Sequence, residues 1–136
     1  MKRSSDEASP RPITFRAAEN VGPFELAQLW CDRSAWPIAD RTQYDELAEL
    51  AVMSALAKWL RRWQPLAIHG AILAGARPEA VAGALGESVE VAFERWREWA
   101  LVQRDFIVGG KPGVTAEAYE EVACRFATSV RVNAAG

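Results

Sequence analysis

The sequence predicts an all-α fold, on three observations. Half of its 136 residues are hydrophobic and a quarter are charged, a globular composition with length for one ordinary domain. Its longer segments repeat apolar residues at helical spacing, and those runs are free of glycine and proline for several turns. Proline and glycine fall between them, at Pro23, Pro37, Pro65, Gly86 and the pair Gly109–Gly110. The expected organisation is a disordered arm over 1–12, a single helical domain over 13–132 and a frayed tail over 133–136.

Taken in order, "MKRSSDEASPRP" is polar and charged, with too few apolar residues to pack. "ITF" at 13–15 reads as a short extended segment. Pro23 suits a first helical turn, and Phe24, Leu26, Ala27, Leu29 and Trp30 give the short helix that follows its apolar contacts. "SAWPIAD" interrupts it, because the residue before Pro37 is pushed out of the helical region.

The longest helix is expected over 42–63. Thr42 and Asp45 have capping-box spacing. Asp45, Glu46 and Glu49 lie early and Lys58, Arg61 and Arg62 late, the order that complements the helix dipole. Leu47, Leu50, Ala51, Ser54 and Ala57 form one apolar stripe, and Val52, Leu56, Trp59, Leu60 and Trp63 a second. A helix apolar on two sides is central in its domain or half-buried in an oligomer, so a homodimer through 42–63 is expected.

Pro65 is expected to end that helix and open another, "PLAIHGAILAGA". Two more helices follow, over "PEAVAGAL" and "VEVAFERWREWALVQ". A short extended turn is expected near 106–114, where Phe106, Ile107 and Val108 precede "GGKPG". Thr115 can cap the last helix, "AEAYEEVACRFATSV".

Several function classes are excluded or disfavoured. A formal charge of −2 gives no overall attraction to nucleic acid or acidic membrane, so DNA binding would need a local basic patch. No apolar run reaches bilayer length, and no hydrophobic stretch follows the N-terminal charges, so neither a membrane span nor a signal peptide is expected. Cys31 and Cys124 stand far apart without metal-ligand spacing and are expected as buried free thiols in a reducing cytoplasm. His69 is the single histidine, flanked by Ile68 and Gly70 with no nucleophile motif beside it. "GGKPG" lacks the spacing of a phosphate loop. Asp45, Glu46 and Glu49 resemble a helix start more than a catalytic carboxylate pair. The expectation is no enzyme, cofactor or metal.

The most informative stretch is "PEAVAGALGESVEVAFERW" at 78–96. Two helices that cross across a tight turn need a small residue at the crossing, one tolerant of positive φ in the turn, and a cap on the second helix. Ala82, Gly86 and Ser88 stand at those places. Val81, Leu85, Ala92 and Trp96 supply the inner faces, with Trp99 one step on. The pattern "VA-x-ALG-x-S-x(7)-W" resembles the helix-turn-helix superfamily of small bacterial regulators. "AGA-x-PE-x-VA-x-ALG" before a Trp-rich helix is similar to short actinobacterial regulator-like proteins. The resemblance covers 66–101 and, set among the segments above, gives an expected fold of about six helices around a central helix-turn-helix. Ala92 departs from it, since the family usually carries Val or Ile there.

The resemblance also implies a dimer reading double-stranded DNA, with Ser88, Val89, Glu90, Phe93 and Glu94 facing the bases. Arg62, Arg77, Arg95, Arg97 and Lys111 would meet phosphates, and Lys2, Arg3 and Arg11 lie on the arm. Charge opposes this. Glu87, Glu90, Glu94 and Glu98 outnumber Arg95 and Arg97 along the second helix, whereas phosphate attraction needs cations. The alternative expectation is a protein-interaction or assembly module that keeps the helix-turn-helix shape. Six tryptophans would supply its anchors.

Overall fold

Thr42 and Asp45 exchange hydrogen bonds at the start of the longest helix. The Thr42 N–H donates to Oδ2 of Asp45 at 2.9 Å, and the Asp45 N–H donates to Oγ1 of Thr42 at 3.2 Å. Two donors that a helix start leaves without intrahelical partners are satisfied in this way. The structure, a computed structural model, describes residues 12–34 and 37–135. The arm expected over 1–12 lies outside the described residues except for Pro12, as do Trp36 and Gly136.

The fold is all-α. Among the described residues the helices are α1 (Phe15–Ala18), α2 (Pro23–Ser34), α3 (Gln43–Leu73), α4 (Pro78–Leu85), α5 (Val89–Asp105) and α6 (Ala116–Ala135). A 3-10 turn spans Ile38–Asp40, and strands β1 (Ile107–Val108) and β2 (Lys111–Pro112) pair antiparallel. These six α-helices are not divided as expected. "ITF" leads into α1, because Oγ1 of Thr14 accepts from the Ala17 N–H at 3.1 Å and caps a turn of helix. The segments expected on either side of Pro65 form one helix.

An interior proline forfeits a hydrogen bond and crowds the carbonyl four residues back, at a cost of about 3 kcal/mol. On either side of Pro65, α3 is anchored by buried residues: Ala51, Val52 and Ala55 before it, Ile68 and Ile72 after it. Burying an isoleucine side chain contributes roughly 1.5–3 kcal/mol. Packing therefore offsets the local preference to stop.

By its contacts the chain gathers into two compact units, Met1–Arg62 and Trp63–Gly136. In the first, Ala18, Leu26, Ala51, Val52 and Ala55 form the core, with Val21, Leu29, Leu56 and Trp59 packed around it. Arg33 and Asp45 form a buried ion pair at 3.4 Å, and Arg41 donates to the Arg33 carbonyl at 2.6 Å while pairing with Glu49. The acids at the start of α3 thus hold the end of α2.

In the second unit, Ile68, Ile72, Val81, Ala82, Val89, Ala92, Trp96, Ala100, Val122 and Phe126 form one core. Oγ1 of Thr115 accepts from the Ala118 N–H at 3.1 Å and caps α6. That helix continues to Ala135, through most of the tail expected to fray. Both cysteines are exposed, contrary to the expectation of buried thiols. Apolar neighbours at helical spacing place a residue on a helix side, but do not say whether that side is the buried one. Among the described residues no helix is long and apolar enough to cross a membrane.

Candidate functional site

The corner between α4 and α5 is built from three local devices. Gly86 has φ 72° and ψ 30°, in the left-handed region where a Cβ is disfavoured. The Glu87 N–H then reaches back to the Ala82 carbonyl at 3.0 Å, and the Gly86 N–H to that of Gly83 at 3.3 Å, which closes α4. Oγ of Ser88 accepts from the Val91 N–H at 3.1 Å and opens α5. Ala82, at the contact between the helices, is buried.

Beneath the corner lies an aromatic cluster. Trp96 is fully buried, with its ring centroid 5.1 Å from Tyr119, 6.0 Å from Phe126 and 6.1 Å from Phe93. Its Nε1–H donates to Nδ1 of His69 at 2.9 Å, and His69 also meets Trp99 edge-on at 5.4 Å. Burial lowers the His69 pKa below its ordinary value. The small Ala92 is fully buried in the same core cluster as Trp96 and Phe126. His69 has a structural place, as the acceptor for a buried indole.

The base-facing set divides. Ser88, Glu90 and Glu94 are exposed, with the Ser88 hydroxyl engaged as the cap. Val89 is buried in the core, and Phe93 packs half-buried against Trp96 and Phe126. Val89 therefore offers a groove almost no surface, and Phe93 only part of its ring. Helical spacing carries the signal for this correction: Val89 and Phe93 stand three residues before Ala92 and Trp96, on the same inward side. The outward positions are instead Glu90, Val91, Glu94, Arg97, Glu98, Leu101 and Val102.

The proposed phosphate contacts fall in both units, each in its own local setting. Arg62 lies in the first unit, its guanidinium 5.2 Å from the Trp59 ring centroid. Arg77 precedes α4, is exposed and lies 3.6 Å from Glu79. Arg95 is half-buried and donates to Gln64 at 3.0 Å and Glu87 at 3.1 Å. Arg97 pairs with Glu94 at 3.5 Å. Lys111 is exposed on the hairpin, beside the positive-φ glycines Gly109 and Gly110 that permit its two-residue turn. Three of the five cations, Arg77, Arg95 and Arg97, are therefore paired with acids of the corner and its two helices.

What remains on the outer side of α5 is a row of carboxylates. Glu90, Glu94 and Glu98 repeat every four residues and all are exposed. The last turns add exposed Leu101 and Val102, and the hairpin adds Phe106, Ile107 and Val108 at 59%, 64% and 65% exposure. This apolar group was read from sequence only as a short extended turn. Among the described residues no three His, Cys, Asp or Glu side chains gather as a metal site. Compared with known proteins, the chain matches no family model, no curated protein and no solved structure.

Proposed function

We propose that the Trp63–Gly136 unit is a protein-docking module that uses a helix-turn-helix corner as its scaffold. The outer side of α5 is its docking face. The carrying observation is the exposed carboxylate row Glu90–Glu94–Glu98, in which Arg97 pairs with Glu94 alone while Arg95 turns to Glu87, so the row keeps a net negative charge. Such a face repels phosphates and attracts cations. The partner it suits is a basic, amphipathic segment of another protein. Its Lys or Arg side chains would meet the row, and its apolar residues would meet Leu101, Val102 and the hairpin. The exposed free thiols Cys31 and Cys124 suit a reducing compartment such as the cytoplasm.

A second reading, sequence-specific DNA binding in transcriptional regulation, is favoured by the corner itself and by the hairpin carrying Lys111. In that reading Ser88, Glu90 and Glu94 face the bases, where Glu can accept from the exocyclic amine of cytosine.

Calorimetric titration with a synthetic helical peptide bearing a Lys row and a Leu face tests the docking role. Binding is expected, weakening at high salt and falling roughly tenfold or more in the variant Glu90→Gln, Glu94→Gln, Glu98→Gln. Equal binding by that variant would remove the row from the account.

A further inference from the structure

The first unit buries only one side of α3. Ala48, Ala51, Val52 and Ala55 are buried, whereas Leu50, Met53, Ala57 and Leu60 are all exposed, Leu50 to 61% and Leu60 to 54%. Those four are spaced by three, four and three residues, the spacing of an apolar seam between two paired helices. Leu47 flanks the seam at 42% exposure. Among the described residues of the first unit, nothing covers this face.

The charges bordering the seam identify what covers it. Glu46 lies on the seam line one turn before Leu50, with half its side chain exposed and only a 3.8 Å contact to Arg41. Arg61 lies beside the other end and is exposed. A second α3 running in the same direction would set Glu46 against Glu46 and Arg61 against Arg61. One running in the opposite direction sets Leu50 against Leu60 and Met53 against Ala57, apolar facing apolar throughout. It also brings Glu46 to Arg61 at both ends. The surface is complementary to itself under a two-fold rotation, the condition for a closed dimer.

We infer that the chain forms a homodimer through this face of α3, with the two α3 helices antiparallel. The inference does not rest on the docking role proposed for the second unit, because its readout is the oligomeric state of the free protein.

The test uses the full chain in size-exclusion chromatography with light scattering over a range of concentrations. The wild type is expected to be a dimer, and Leu50→Glu with Leu60→Glu a monomer of unchanged helical circular dichroism. Glu46→Arg and Arg61→Glu should each weaken the dimer, roughly tenfold in Kd. The two together should restore it, because the reversed charges meet again only in the antiparallel arrangement. These positions lie outside the core, so they keep the test readable if the leucine substitutions disturb folding. A wild type that stays monomeric at all concentrations would overturn the inference. So would a double charge reversal no better than the single ones.

Discussion

The indole of Trp96 donates its only hydrogen bond to Nδ1 of His69, 2.9 Å away, inside the core of the second unit. Trp96 is fully buried, so its N–H has no solvent to turn to. The bond also fixes the tautomer: Nδ1 accepts, and the proton of neutral His69 sits on Nε2.

Stability of this unit should therefore fall in mild acid. Burial holds the His69 pKa below its ordinary 6.5, so the unfolded chain takes up the proton first as pH drops. Its contribution is complete above 6.5 and is lost as pH falls toward the folded value, where Nδ1 can no longer accept. Urea midpoints followed by tryptophan fluorescence should be lower at about pH 5 than at about pH 7.5. His69→Phe should reduce that difference and cost about 1–3 kcal/mol at neutral pH, because the Trp96 N–H is left unsatisfied.

The corner makes opposite demands on two neighbouring glycines. A Cβ at either Gly83 or Gly86 meets nothing within 4 Å, but only Gly86 has positive φ. Gly86→Ala should destabilise by about 1–2 kcal/mol through backbone strain alone. Gly83→Ala, inside α4, should stabilise by about 0.5–1 kcal/mol. Thermal unfolding of the two variants checks the difference in sign.

Much of this corner is legible in the sequence because its devices are local. Gly86, Ser88 and the Thr42–Asp45 exchange each act within a few residues, so their spacing alone announces them. What is not legible depends on distant packing. Pro65 looks like a boundary until Ala55 and Ile68 are seen to be buried on either side of it. Val89 and Phe93 look outward when the family's reading positions are laid on α5. The inward arc through Ala92, Trp96 and Ala100 is wide enough to include both. The ion pairs of Arg95 and Arg97 are local too, but side-chain geometry decides which acids they choose.

Ser129 donates to the Glu79 carboxylate, joining α6 to the first turn of α4. That hydrogen bond is the main cause of the lowered Glu79 pKa, with a backbone hydrogen bond and nearby Arg77 adding to it. Ser129→Ala should raise the Glu79 pKa toward its ordinary 4.5, as read by NMR titration of the side-chain carboxyl. A depressed carboxylate stabilises the fold above its unfolded pKa and loses that effect as pH falls through the folded value. The variant should accordingly lose part of the wild type's sensitivity to strong acid.

The exit of the hairpin is tightly fitted against α5. The Gly113 N–H donates to the carbonyls of Gln103 at 3.0 Å and Phe106 at 3.1 Å. A Cβ on Gly113 would come within 2.5 Å of Oε1 of Gln103 and 3.3 Å of its Cβ and carbonyl oxygen. The amide end can swing away, but the backbone cannot. Gly113→Ala should cost about 1–3 kcal/mol, and adding Gln103→Ala should recover part of it, as a double-mutant cycle on unfolding midpoints would show.

The outer side of α5 is proposed to receive a basic protein segment and to repel phosphate. Titration of a labelled random-sequence DNA duplex with the full chain, across a salt series beginning at low salt, tests it most directly. No binding is expected at any salt concentration. Tight binding that falls steeply with salt, and whose slope flattens in the variant Arg77→Ala, Arg97→Ala, would contradict it and return the face to DNA.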